Sequence, residues 1–245
     1  MPDFGGLSGY GRTSSLIGTS LTAPGSVNTK GAWTQVTSSA PFDVAWMSLG
    51  IRAAQSDFAL LDIGVGGSGS EQVVIPNVPF TGNVNDIYGG PYDYPISIPA
   101  GTRIAARYQN KSAMSTTLMM ILCAAPMLRI PEASRIIDWG SDLSTSRGTS
   151  CGTSYTQIVG STDFATRWIQ ITGLANGTQE QDWWLAVGGS GAEQEVFRSH
   201  DLMRGAPTVY NGLSIHTLPL SIPAGTRLSG KSSANATFMS VLGIG

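Results

Sequence analysis

Val65-Gly66-Gly67-Ser68-Gly69-Ser70-Glu71-Gln72 returns 122 positions later as Val187-Gly188-Gly189-Ser190-Gly191-Ala192-Glu193-Gln194. The same shift pairs Thr34-Gln35 with Thr156-Gln157, Phe42 with Phe164 and Trp46 with Trp168, and carries Gly18 and Leu21 onto Gly140 and Leu143. Ser97-Ile98-Pro99-Ala100-Gly101-Thr102-Arg103 recurs as Ser221-Ile222-Pro223-Ala224-Gly225-Thr226-Arg227 at a shift of 124, and Lys111-Ser112 as Lys231-Ser232 at 120. So close a repeat marks two tandem copies of one unit of about 115–120 residues, an ordinary domain size.

Within each copy the hydrophobic period is two, not 3.6. Ala45, Met47, Leu49 and Ile51 alternate with Val44, Trp46, Ser48 and Gly50, which gives a strand one wholly apolar face. Phe58 to Val65 is a second strand, stopped by a Gly-Gly-Ser-Gly tract that supplies positive φ angles for a tight connection. Glu71 to Pro76 restarts a strand whose ladder is expected to end at Pro76. Pro-Ala-Gly-Thr is a turn signal and predicts a hairpin on either side of it, with the geometry of a type I turn. Leu118 to Leu122 and Phe238 to Leu242 close the two copies. Pro131 to Arg135 predicts a single helical turn, and no other segment carries a helical period.

Seven or eight short strands per copy, separated by Gly and Pro turns, predict an all-β protein: two tandem antiparallel jelly-roll-type sandwiches with a short N-terminal arm. An immunoglobulin-like sandwich is the competing expectation, weakened by the absence of paired cysteines. The expected divisions are an arm over 1–12, a first domain over 13–125, a linker over 126–134 and a second domain over 135–245. Residues 1–12 show no counterpart in the second copy, so Phe4, Leu7 and Tyr10 are the arm's candidates for docking on a larger particle.

Charged residues make up only 12% of the chain, and the formal net charge is -2. No basic stripe exists to neutralise a phosphate backbone, so nucleic acid is not an expected partner. No apolar run reaches the ~20 residues of a membrane span, so no membrane insertion is expected. The start lacks the basic and apolar regions of a secretory signal, which points to synthesis in a cytoplasm. Cys123 and Cys151 are not repeat equivalents, and two free thiols are the expectation.

Catalytic patterns are weak. His200 and His216 have no metal-ligand spacing and read as surface histidines. Gly148-Thr149-Ser150-Cys151-Gly152 matches G-x-S-x-G only formally, in a loop ahead of a strand rather than between a strand and a helix. Glu71 and Glu193 supply one acid per copy, whereas glycoside hydrolysis needs two together. The chain is therefore expected to be a binding protein without catalysis, cofactor or metal.

The differences between the copies point to the site. Leu60-Leu61-Asp62-Ile63 in the first copy stands where the second has Asp182-Trp183-Trp184-Leu185, so Trp183 takes the Leu61 place and Trp184 the Asp62 place. Trp184 is then either a stacking platform for a sugar ring or an aromatic covered by its own loops. The tract from Pro79 to Tyr94 carries Tyr88, Tyr92, Asp93 and Tyr94 among Gly and Asn, a composition suited to adaptable contacts. Its counterpart, Asp201 to His216, offers Tyr210 and Asn211. With Asp182, these are the carbohydrate-binding candidates.

Tandem units with Gly66-Gly67-Ser68-Gly69 ahead of Glu71-Gln72, the Ser97 to Arg103 turn and a Gly/Thr/Ser-rich all-β body resemble the head-spike or head-fibre proteins of tailed phages and phage-derived gene transfer agents. The resemblance covers nearly the whole chain, but its motifs are fold signals, and no ligand residues transfer from it. It implies a capsid-decorating jelly-roll protein on a virion or phage-like particle. Such a protein binds host surface polysaccharide and docks on a capsid or spike-base protein through its arm; a homo-oligomer is compatible with that role. It also explains cytoplasmic synthesis, since particles assemble inside the cell. The alternatives are a structural cement or tail component that binds no sugar and, behind it, a free polysaccharide hydrolase or lyase.

Overall fold

The strands of the first copy are β1 (Leu7–Tyr10), β2 (Thr19–Leu21), β3 (Thr34–Thr37), β4 (Trp46–Ala53), β5 (Phe58–Val65), β6 (Gln72–Thr81), β7 (Gly89–Tyr94), β8 (Ile104–Asn110) and β9 (Thr116–Cys123). Those of the second are β10 (Ile136–Trp139), β11 (Thr149–Cys151), β12 (Thr156–Val159), β13 (Trp168–Asn176), β14 (Gln181–Val187), β15 (Gln194–Asp201), β16 (Asn211–Leu218), β17 (Leu228–Ser232) and β18 (Thr237–Ile244). The structure is a computed structural model that describes residues 7–10, 18–53, 58–81, 89–112, 115–124, 133–176, 181–201, 211–233 and 237–245. No helix occurs among them.

Each copy is a jelly roll. In the first, β1-β9-β4-β7 form one sheet, with β2 also on β9, and β3-β8-β5-β6 form the other. In the second the corresponding orders are β10-β18-β13-β16, with β11 on β18, and β12-β17-β14-β15. Apart from the hairpins β5–β6 and β14–β15 at the Gly-Gly-Ser-Gly curls, the strands from β2 to β9 and from β11 to β18 alternate between sheets, so each sandwich is closed mainly by crossovers. The alternation read from the sequence holds on the inner faces. Met47, Leu49 and Ile51 meet Leu61, Ile63, Phe80 and Tyr108 in the first core. Ile169, Ile171, Met239 and Val241 meet Trp183, Leu185 and Leu228 in the second.

The repeated motifs converge on one device. Gly66 and Gly69 have φ of 112° and 83°, and Gly188 and Gly191 have 110° and 80°, which curls each tract so that its glutamate folds back on it. Glu71 Oε2 accepts from the Gly69 N–H (2.9 Å), and Oε1 accepts from Arg103 Nη1 (2.8 Å). Arg103 also donates to the Gly66 carbonyl (3.1 Å) and to Gln35 Oε1 (3.1 Å). In the second copy Arg227 reaches Glu193 (3.1 Å), the Gly188 carbonyl (3.1 Å) and Gln157 (3.2 Å) in the same way. One guanidinium thus ties three neighbouring segments at one end of each four-stranded sheet. The repeated glutamates belong to this clasp and not to an acid/base pair.

Five local expectations are corrected. Leu7–Tyr10 is not a free arm: β1 lies on β9 in register Leu7↔Cys123, as β10 lies on β18 in register Ile136↔Ile244. The true partner of Thr19 is Thr149, since they stand opposite Leu118 and Met239, which themselves face Ile51 and Gly173. The residue-by-residue match of Gly18 and Leu21 to Gly140 and Leu143 was therefore out of register. Pro76 does not end β6, because that strand lies at a sheet edge and absorbs Pro76 and Asn77 (φ 47°) in an irregular register against Leu61 and Ile63. The Pro-Ala-Gly-Thr turns join different sheets and are not hairpins; Thr102 N–H bonds to the Pro99 carbonyl (3.2 Å) with Gly101 at φ 81°, which is the type II form. Ala133, placed by the sequence in a helical turn, instead bridges Ile96 in parallel.

The copies stack head to tail. The outer face of the first copy's four-stranded sheet receives the outer face of the second copy's five-stranded sheet, and β6 touches both β10 and β16. Phe58 meets Phe238 edge-on at 5.7 Å, and the Arg147 guanidinium lies over both rings at 4.4 and 4.7 Å. Gln109 donates to the Leu143 carbonyl (2.7 Å) and Ser146 Oγ (3.0 Å), and the Tyr94 hydroxyl donates to Gln170 Oε1 (2.8 Å). Leu242 and Ile244 of the second copy join the first copy's core cluster. Beneath this contact Asp62 takes Lys30 Nζ at 2.7 Å and Arg107 Nε at 2.9 Å. Asn77 bridges from there, its N–H on Asp62 (2.9 Å) and its Nδ2 on Asp138 Oδ2 (2.9 Å).

Burial in the interface raises the Asp138 carboxyl to about 6, against the hydrogen bonds from Ser141 and Asn77 and the charge of Lys30. The folded chain therefore takes up a proton below that pH which the unfolded chain, with its ordinary pKa of about 3.8, still lacks. Stability relative to Asp138→Asn should rise as pH falls from 8 towards 4, by up to about 3 kcal/mol for a shift of about two units. Chemical denaturation of both proteins across that range checks it; parallel curves would contradict it. For the clasp, Arg103→Lys should unfold at a lower temperature than the native chain and rescue little over Arg103→Ala, because one ammonium cannot serve Gln35, Gly66 and Glu71 together. Melting curves of the two variants decide this.

Candidate functional site

The outer face of the first copy's four-stranded sheet is used up in holding the second copy. Its equivalent in the second copy, the outer face of β12-β17-β14-β15, faces away from the first. Strand β14 shows the alternation that matters: Trp183, at 1% exposure, points into the core against Phe197, and Trp184 stands half-exposed on the other face. The register puts Lys231 of β17 and Arg198 of β15 directly opposite Trp184. Lys231 Nζ sits 4.8 Å from the centroid of the Trp184 ring and 4.5 Å from that of Tyr155, and Arg198 Cζ lies 5.1 Å from the Trp184 centroid. Aromatic faces attract cations through their quadrupole, so the two rings hold the ammonium between them.

Asp182 lies on the same face and pairs with Arg198 (2.7 Å), with side-chain exposures of 18% and 57%. Its backbone is fixed by Ser233, which accepts from the Asp182 N–H (2.8 Å) and donates its own N–H to the Asp182 carbonyl (2.7 Å). Arg198 is thus internally balanced, whereas Lys231 forms no ion pair among the described residues. The exposed Gln157 completes the row at the clasp end. What results is a shallow polar face with two aromatic rings and two cations, of which Lys231 alone has no ion pair among the described residues, a surface that can contact a ring and bond its polar substituents.

The other candidates fall elsewhere. Tyr92 and Tyr94 are not loop contacts: both are fully buried in β7, paired with Leu49 and Met47 and packed in the first core. Burial pushes both phenols above their ordinary range. Asp93 alternates with them onto the outer face, half-buried. Tyr88 and Tyr210 lie outside the described residues, as does Phe4, while Asn211 opens β16, and Leu7 and Tyr10 lie within β1. Lys231, Arg198 and Tyr155 were missed from the sequence. The repeat could have found Tyr155, which stands where the first copy has Trp33, but the match of Lys231 to Lys111 is out of register: the pairing puts Lys231 in the place of Arg107, which stacks on Trp33 at 4.5 Å.

Nothing else in the described residues assembles a stronger site. No group of three or more His, Cys, Asp or Glu among them could hold a metal ion, and no helix is long and apolar enough to cross a membrane. His216 is no surface histidine: it is half-buried at 5.5 Å from Trp183 and 5.0 Å from Phe197, with Nε2 3.0 Å from Ser199 Oγ. Ser150 lies within the strand β11, so the G-x-S-x-G match has no elbow geometry. Neither Cys123 nor Cys151 is in a disulfide and both are buried, and burial pushes the Cys151 thiol up to about 12. Where the copies meet, a crevice of about 210 Å³ is lined by Val73, Val74, Ile96 and Arg135, below the roughly 300 Å³ at which ligand pockets begin.

No protein-family model matches the sequence, and no curated protein is similar to it in sequence. Among solved structures, the N-terminal CBM22-1–CBM22-2 tandem domain of Paenibacillus barcinonensis Xyn10C is similar with a TM-score of 0.27 and 12% identity, over 98% of this chain and 90% of that one. A score so low assigns nothing to this chain.

The two adjacent tryptophans should separate cleanly. Trp183→Ala removes a fully packed core ring and should cost about 3–5 kcal/mol. Trp184→Ala should cost about 1 kcal/mol or less, as an outer-face change that loses only cation contacts. Denaturant melts of the two variants measure this, and equal losses would put Trp184 in the core.

Proposed function

We propose that this chain is an attachment protein of a virion or phage-like particle and that it binds host surface polysaccharide through the outer face of β12-β17-β14-β15. The single observation that carries the binding reading is Trp184: an aromatic half-open to solvent, mid-strand, where the first copy has a buried aspartate. A large apolar ring left on an otherwise polar sheet face is costly to expose and is commonly a contact for a partner. Sugar rings present flat C–H faces that stack on it, and the Ser, Gln and charged groups around it suit hydroxyls. The particle comes from the resemblance of the tandem motifs to head-spike proteins. On this reading the chain binds without turnover.

The stacked domains favour one competing reading. An interface threaded by Arg147, Gln109 and Tyr94 makes a stiff two-domain body, as a structural decoration that clamps capsid subunits would need. Adsorption separates the two. Fluorescently labelled chain should bind capsulated cells and not their non-capsulated mutants, with Trp184→Ala losing most of the signal while keeping the native melt. Particles assembled without the chain should stay intact but adsorb poorly. Particles that fall apart, with no difference in cell binding, would favour the structural role.

A further inference from the structure

Comparison of the two copies at one position gives the chemical class of the ligand. In the first copy a cation on the strand next to β5, Arg107, stacks on Trp33 and is met by the Asp62 carboxylate at 2.9 Å. In the second copy the cation and its aromatic are kept, as Lys231 on Tyr155 at 4.5 Å, but the carboxylate has been replaced by Trp184. The register is the same in both, Asp62 opposite Arg107 and Trp184 opposite Lys231. Asp182, an acid on the same face, is engaged by Arg198 at 2.7 Å. The first copy therefore contains within itself the anion that the second copy's cation lacks, and closes over it with a neighbouring domain. The second copy leaves its cation on an open face beside an aromatic plate.

We infer that the face takes an acidic saccharide, a pyranose bearing a carboxylate such as a uronate, whose ring lies on Trp184 and whose carboxylate meets Lys231. This rests on the glycan-binding reading above and deepens it. The lysine is already held between two rings, so little side-chain freedom is lost when it binds. Its ammonium is a point donor and accepts a carboxylate from a range of directions, which suits a sugar whose orientation is set by stacking. Arg198, balanced by Asp182, borders the ring without adding net charge.

The test uses the full chain against two probes, a polygalacturonate oligomer and the same oligomer with its carboxylates reduced to alcohols. Isothermal titration should show binding of the first that weakens as salt is raised, and about tenfold weaker binding of the second, as expected for loss of one charge-assisted contact. Lys231→Met should bind both oligomers alike and weakly, Lys231→Arg should keep the preference, and Trp184→Ala should lose both. A native melt for each variant confirms its fold, and the preference of the arginine variant keeps the test open should the methionine variant unfold. Equal affinity of the native chain for both oligomers overturns the acidic class while leaving the Trp184 reading standing. No binding of either, repeated on an array of acidic and neutral polysaccharides, overturns both.

Discussion

The guanidinium of Arg103, and of Arg227 after it, is the contact on which each copy's geometry depends. A Gly-Gly-Ser-Gly curl has no side chains to pack and would not hold one shape by itself. The clasp gives it one: the glutamate folds back onto the curl's own N–H, and the arginine binds the glutamate and the curl's carbonyl from one side and Gln35 or Gln157 from the other. A planar fork of donors suits this where an ammonium would not. In a chain with 12% charged residues, spending an ion pair at the same point of each copy fixes the turn on which the inner faces of β5 and β14 depend for their register.

Stacking the copies head to tail makes one kind of sheet face serve twice. In the first copy that face is closed, and its charges are settled internally by Asp62 between Lys30 and Arg107. A buried ion cluster of this kind adds little net stability but penalises any arrangement that breaks it, so it defines how the second domain sits. Asn77 carries the definition across, one amide bonded to Asp62 and the other to Asp138.

Much of this was legible in the sequence because period-two patterning and exact repeats are local signals. Met47, Leu49 and Ile51 could be read as one inner face, and Trp183 and Trp184 as opposite faces, from alternation alone. The same rule, applied to Tyr92, Asp93 and Tyr94, would have put the tyrosines inside; the glycines and asparagines before them masked the strand. Pro76 misled because its effect depends on whether a strand is at an edge, which is a property of the assembled sheet. β1 was invisible for a related reason: it matches β10 in position but not in side chains, Leu-Ser-Gly-Tyr against Ile-Ile-Asp-Trp, and backbone pairing leaves no mark in sequence identity. Trp46 and Trp168, identical in the two copies, lie on the outer side of the five-stranded sheets, clustered with Cys123 and Ile121. Identity between copies reported a shared environment but not which face it was on.

The same limit explains why the site could be located from one residue but not composed. Trp184 is visible as a difference, an aromatic in an aspartate's place, and differences at aligned positions survive in the sequence. Lys231 and Arg198 become its neighbours only through the pairing of β14 with β17 and β15, at sequence separations that no local pattern spans. Their importance comes from what the first copy does at the same register. Replacing Asp62 by tryptophan removes the charge that closes the face and leaves a cation facing outward, so a single exchange alters both shape and sign. In the first copy the carboxylate is held by Lys30 and Arg107 and reaches the neighbouring domain only through Asn77, whereas the same register in the second copy leaves Lys231 beside Trp184 with no carboxylate opposite it.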